Sequence, residues 1–200
     1  MKNTTKMIED SLFNIPFWKI QTINFEKKKK ELVKLLKSYP EEEKKGLQEF
    51  ATNRQIDRSG LVEKFSSVMN EELVSFSQEI KQDFAMHEIW SVSYKKGCYH
   101  APHNHSSWGL SGIFYLDLPK DSPITIYLQP WQNFENDSSV SYSIPVVEGD
   151  IVIVPSCIVH FTKPNKSNSK KRIISWDLKM LGTTRLIPTQ NIQPNPALLK

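Results

Sequence analysis

His103-Asn104-His105, with His160 further along and Arg172 beyond it, are the residues whose types and spacing can do chemistry. Two histidines one residue apart on an extended segment point to the same face, because side chains alternate along a strand. Both imidazoles can then reach one metal ion. His160, at the end of the apolar run that starts at Val146, can close the site from a neighbouring strand. Three protein ligands leave positions open on the metal, which a catalytic ion needs and a structural one lacks. Arg172 follows on a segment of β-formers with Ile173, Ile174, Trp176 and Leu178. A buried guanidinium is costly unless an anion pairs with it, and its planar fork fits a carboxylate through two parallel hydrogen bonds. Arg172 could equally end the Lys170-Lys171 run at the surface.

The elements that must hold these residues are short strands. From His87 onward the period is two, with Ile89, Ser91 and Ser93 alternating with Trp90, Val92 and Tyr94. Further β-rich runs cover 110–116, 124–128, 140–144, 151–154 and 172–178, and turn clusters at 119–123 and 133–139 separate them. Gly149 supplies a tight turn into one strand and Pro155 ends it. The first 85 residues read differently: an extended segment lies around 13–20, and a helix is predicted over 25–38. A short second helix is expected over 41–51 and a long amphipathic one over 60–84, on Leu61, Phe65, Val68, Met69, Leu73, Phe76 and Ile80. The pattern predicts an α+β protein, mainly a β jelly roll with N-terminal helices packed on one sheet. One domain over 1–200 is expected, with a helical N-terminal region over 1–85, a jelly-roll core over 86–182 and an irregular tail over 183–200.

Composition narrows the function classes. The formal charge is only +4 over 200 residues. The Lys27–Lys30 run falls within a helical pattern and reads as a solvated face, so nucleic acid is not an expected partner. Two cysteines are too few for a disulfide framework, and Cys157 reads as a small buried residue instead of a nucleophile. No stretch approaches the roughly 20 apolar residues that span a bilayer, and residues 11–18 are too short and interrupted for a signal peptide. A cytoplasmic protein with no membrane partner is expected. The helix from Gly60 and the extended N-terminus would pack on the barrel or pair two copies in a homodimer; pattern alone does not separate these.

The motifs resemble the double-stranded β-helix families. Gly97-x5-His103-x-His105 and Gly149-x5-Pro155-x4-His160 follow two cupin motifs, without the cupin glutamate. The chain is more similar to the 2-oxoglutarate- and Fe(II)-dependent oxygenases, in particular a branch with His-x-His, a Ser-Gly-aliphatic-aromatic-Tyr-Leu strand, a Gly-Asp-apolar-Pro-Ser segment with His, and a final Arg-Ile-Ser-type strand. Here these read His103-Asn104-His105, Ser111-Gly112-Ile113-Phe114-Tyr115-Leu116, Gly149-Asp150 through Pro155-Ser156 to His160, and Arg172-Ile173-Ile174-Ser175. The opening Leu12-Phe13-Asn14-Ile15-Pro16-Phe17-Trp18 is also like that branch, and the strong motifs lie within residues 90–178.

The resemblance implies a double-stranded β-helix and an oxidoreductase that uses Fe(II), 2-oxoglutarate and O2. Such an enzyme oxidises a C–H bond of a small molecule or a peptide side chain while 2-oxoglutarate becomes succinate and CO2. It implies His103 and His160 as metal ligands, Arg172 as the grip on the far carboxylate of 2-oxoglutarate, and Tyr115 as a helper whose hydroxyl holds the co-substrate. Two departures stand out. The family at large has Asp or Glu where this chain has His105, so the site has either three histidines or two with His105 outside the ligand set. The hydroxyl residue usual two positions after the arginine is Ile174, and Ser175 should face the other way. His100 would line the pocket or support a ligand, His87 would start a strand, and Trp90, Trp108, Trp131 and Trp176 read mostly as core, with Trp108 also placed to line the substrate mouth. Two other readings fit the same residues: a cupin-type metal dioxygenase that does not use 2-oxoglutarate, and a non-catalytic jelly-roll binding module.

Overall fold

The computed structural model describes residues 15–46, 49–132 and 136–181. Two antiparallel sheets face each other. The larger combines β1 (Trp18–Gln21), β2 (Glu42–Lys44), β3 (Phe50–Thr52), β4 (Phe84–Tyr94), β6 (Leu110–Asp117), β9 (Asp150–Pro155) and β11 (Lys171–Met180). Its strand order is β1-β9-β6-β11-β4-β3-β2. The smaller contains β5 (His100–His103), β7 (Thr125–Gln132), β8 (Ser139–Ser143) and β10 (His160–Thr162), ordered β5-β10-β7-β8. The chain crosses repeatedly between the sheets, which makes a jelly roll with one interior.

Strict alternation on the large sheet sorts its side chains into two cores. Ile89, Phe114, Leu116, Ile151, Ile153, Ile174, Trp176 and Leu178 face outward. They pack against α1 (Phe25–Leu36), α2 (Leu61–Val68) and α3 (Asn70–Ile80) through Leu32, Leu36, Leu61, Phe65 and Phe76. Trp90, Val92, Tyr94, Ile113, Tyr115, Val152, Val154 and Ile173 face inward, toward the small sheet. The large sheet is therefore apolar on both faces, and its central strands read as continuous hydrophobic runs. Gly112 is required here: a Cβ on it would lie 2.1 Å from the indole of Trp176, its register partner on β11.

The helices on one sheet and the strands of 87–178 agree with expectation, but several details do not. The described residues of 41–51 form no helix. Glu42–Lys44 and Phe50–Thr52 instead pair as a short hairpin on the edge of the large sheet beside β4. The pattern over 60–84 breaks at Met69 (φ −100°, ψ 19°) into two helices, and Phe84 already belongs to β4. Lys28 is not solvated; it is buried, with Nζ 2.7 Å from Glu71 and 2.8 Å from Glu72, while Lys29 bridges Asp117 and Glu148. Cys157 is exposed, as are Trp108 and Trp131. His87 lies inside β4 at a bulge, not at its start. The tail 183–200 lies outside the described residues. Among the described residues no helix is long and apolar enough to cross a membrane.

Candidate metal centre

His103 ends β5 and His160 begins β10, and the two are direct cross-strand partners. The next pairing joins Thr162 to His100, so two steps along β10 face three along β5. The extra residue is a bulge at Ala101-Pro102, where a proline without an N–H is tolerated. It turns His100 to the same side as His103, and the rings stack at 3.8 Å. His105 lies two residues past β5, in a loop tied down by Ser156, whose carbonyl accepts from the N–H groups of His105 (3.1 Å) and Ser106 (3.4 Å). The loop closes at Gly109, which has φ +84° and leaves no room for a side chain: a Cβ would sit 2.5 Å from the Leu178 carbonyl.

Three of the four rings converge. Ligand nitrogens of His103, His105 and His160 all lie within 4.8 Å of one another. Each Nδ1 is already engaged: His103 with Ala101 O at 2.8 Å, His160 with Ile158 O at 3.0 Å, and His105 with the carboxylate of Asp177 at 2.6 Å. An Nδ1–H that donates to oxygen leaves Nε2 as a lone-pair donor. Burial pushes the pKa of His160 down to about 3 and that of His100 to about 2, and it lowers His103 too. These rings are thus held neutral, as metal binding requires. Three imidazoles whose ligand nitrogens converge on one point fit a borderline divalent ion such as ferrous iron.

Beside the histidines lies a cavity of about 250 Å³, lined by Trp90, Tyr94, His100, Thr125, Thr162 and Ser175 among others. At its rim Arg54 stacks on Trp90 (4.2 Å) and pairs with Glu88 (3.0 Å).

Arg172 does not face this cavity. Ile173 and Ser175 line it, so alternation along β11 puts Arg172 on the opposite face, where its Nη2 lies 2.8 Å from Asp117, the carboxylate that Lys29 of α1 also holds. The inward cation is Lys171. Its side chain is fully buried, Nζ donates to Pro123 O at 2.6 Å, and it lies over the rings of Tyr94 (5.0 Å) and Tyr115 (5.7 Å). Burial lowers its pKa to about 7, and no carboxylate pairs with it among the described residues. Arg172 thus faces away from the cavity and Lys171, one residue earlier, faces inward, because one residue reverses a strand's faces. Ser175 shares that inward face with Lys171.

Tyr115 is also inward and fully buried, but its hydroxyl is shared with Thr125, donating to Oγ1 at 3.0 Å and accepting from the Thr125 N–H at 3.4 Å. Asp177, Lys171, Ser111 and Arg54 escaped the sequence reading. Lys171 and Asp177 lie two before and four after Ile173, on one face of the strand, but the buried Ile173 and Ile174 leave the pattern silent on which face is inward.

Residues 88–177 match the family described as "Putative 2OG-Fe(II) oxygenase". No curated protein sequence matches the chain. Among solved structures, the non-heme alpha ketoglutarate dependent epimerase SnoN from nogalamycin biosynthesis is similar with a TM-score of 0.64 at 10% identity, over 82% of this chain and 78% of that one. HygX from Streptomyces hygroscopicus, solved with nickel, 2-oxoglutarate and hygromycin B bound, gives 0.62 at 11% identity over 82% of each chain. A Pseudomonas putida prolyl-4-hydroxylase gives 0.56 at 13% identity, over 84% of this chain and 94% of that one. At these identities the likeness is one of fold. Residues 88–177 thus carry the match to the 2OG-Fe(II) oxygenase family, and the chain builds a jelly roll similar to those structures around a His-x-His…His triad.

Proposed function

We propose that the chain is a non-haem Fe(II), 2-oxoglutarate-dependent oxygenase in which His103, His105 and His160 hold the metal and Lys171, not Arg172, takes the far carboxylate of 2-oxoglutarate. One observation carries the reading: three imidazoles whose ligand nitrogens converge share the barrel interior with a buried lysine that no carboxylate pairs among the described residues. A buried cation without an anion is costly, and a dicarboxylate that reaches from the metal to Nζ removes that cost. Ferrous iron with 2-oxoglutarate and O2 supplies the oxidation of a substrate C–H bond, coupled to formation of succinate and CO2.

The chain's own residues do the rest. The carbonyls of Ala101 and Ile158 fix the tautomers of His103 and His160. Tyr94, Thr125 and Thr162 offer hydroxyls in the stretch between the histidines and Lys171. Val92, Ile113 and Ile173 form the apolar wall that keeps water from that stretch. The substrate is a small molecule that enters past Arg54 and Trp90; a peptide side chain is the other occupant this mouth admits.

The test is fluorescence titration of the purified protein with 2-oxoglutarate in the presence of Mn(II), followed by succinate assays with Fe(II). Binding that needs Mn(II), survives Arg172→Ala and is lost in Lys171→Met is expected. No binding of 2-oxoglutarate below millimolar would overturn the assignment and favour a metal dioxygenase that does not use it.

A further inference from the structure

Ser111 and Ser156 belong to the two motifs that mark this chain most strongly, yet neither lines the cavity beside the histidines. They lie behind His105. The Ser111 hydroxyl donates to Asp177 Oδ1 at 2.6 Å, and Ser156 Oγ lies 2.8 Å from Ser111 Oγ. The same Asp177 oxygen accepts from His105 Nδ1 at 2.6 Å. Ser111 and Asp177 are register partners on neighbouring strands, so the sheet itself aims the carboxylate. The His105 side chain is only 3% exposed and that of Asp177 18%, which keeps water from competing for the contact.

The three histidines are not equivalent. His103 and His160 each lean on a neutral carbonyl two residues back in the chain, whereas His105 leans on an anion from another strand. We infer that Asp177 is a positioning residue that brings a negative charge to the metal centre through His105, with Ser111 and Ser156 holding it in line. A carboxylate behind a ligating imidazole fixes its tautomer and ring plane and strengthens it as a donor, and losing one typically weakens metal binding about 10- to 100-fold. This inference rests on the metal site proposed above and adds the source of its charge.

Co(II) is the probe, titrated into metal-free protein and read by its absorption bands and by calorimetry. Wild type should take up one Co(II), and His103→Ala should abolish the uptake. Asp177→Asn should weaken it about 10- to 100-fold and alter the bands, and Ser111→Ala should weaken it less. His105→Asp should bind poorly, because its new carboxylate faces Asp177. The double variant His105→Asp/Asp177→Asn should bind better than either single variant, since the charge then sits on the ligand itself. A residue that merely fastens the loop gives no such reciprocal rescue. Asp177→Asn and Ser111→Ala binding Co(II) as wild type does, with His103→Ala still inert, would overturn the role of Asp177 alone. Wild type taking up no Co(II), or His103→Ala and His160→Ala taking it up normally, would instead overturn the metal site.

Discussion

Replacing Lys171 by methionine separates binding from stability, because the two should move in opposite directions. Nζ is fully buried, and burial holds its pKa at about 7 against an ordinary 10.5. An ammonium–carboxylate hydrogen bond is worth about 1.5–3 kcal/mol, so the variant should lose roughly 10- to 150-fold in 2-oxoglutarate affinity. The pH dependence follows from the same group. The free amine sheds its proton above about pH 7 and the carboxylate-bound one keeps it, so affinity is full below pH 7 and falls as pH rises. By pH 8 only about a tenth of the free protein carries the charge, which weakens apparent binding about tenfold relative to pH 6. His100 and His160, with pKa values of about 2 and about 3, do not titrate in that window. Metal-free Lys171→Met should melt higher than wild type at neutral pH, since a depressed lysine pKa costs the fold about 1.4 kcal/mol for each unit by which it falls. Calorimetric titration with 2-oxoglutarate and Mn(II) from pH 6 to 9, beside thermal melts, measures both effects. If Arg172→Ala abolishes binding while Lys171→Met leaves it intact, the assignment of faces along β11 is wrong.

Other outcomes follow from packing and charge. Gly112→Ala should destabilise the protein by at least about 1–3 kcal/mol, seen as a lower melting temperature, because its Cβ would fall 2.1 Å from the Trp176 indole. Glu72→Ala should cost about 3–5 kcal/mol: it leaves Lys28 buried with only the more exposed Glu71, and it strips the Ile23 N–H of its acceptor. Wild-type stability in urea checks the scale, and Glu71→Ala should cost far less. Metal-free protein should lose stability as pH falls below about 6.5. His100, His103 and His160 have folded-state pKa values below the unfolded 6.5, so the unfolded chain takes up protons first. Asp177 acts in the same direction: burial opposes its charge, but the His105 and Ser111 hydrogen bonds outweigh it and lower its pKa. Melting temperatures that stay flat from pH 7 to 4.5 would contradict this.

The sequence was legible where one periodicity dominated. The alternation Trp90/Val92/Tyr94 against Ile89/Ser91/Ser93 reports β4 directly, and the run from Leu61 to Ile80 reports amphipathic helix even though it breaks at Met69. The convergence of His103, His105 and His160 was legible because His-x-His on an extended segment puts two rings on one face and a neighbouring strand begins at His160. The phase of β11 was not. Ile173 and Ile174 are both buried, one in each core, so no polar side chain marks which face looks inward and Lys171 and Arg172 are interchangeable by pattern. Glu42-Glu43-Lys44 lacks any apolar face and joins the sheet only at its edge, where pairing needs backbone alone. Asp177 was hidden for another reason: its contact with His105 joins residues 72 positions apart, and only the folded register brings them together.

All three helices buttress the large sheet, whereas the small sheet holds His103 and His160 on strands of only four and three residues. Its ladder is too short to be rigid by itself. A metal bound by His103, His160 and His105 would therefore act as a rivet, clamping the thin wall to β11 through Asp177. Amide hydrogens of β5 and β10 should exchange quickly in the stripped protein and slow sharply once an ion is seated, while those of β6 and β9 barely respond.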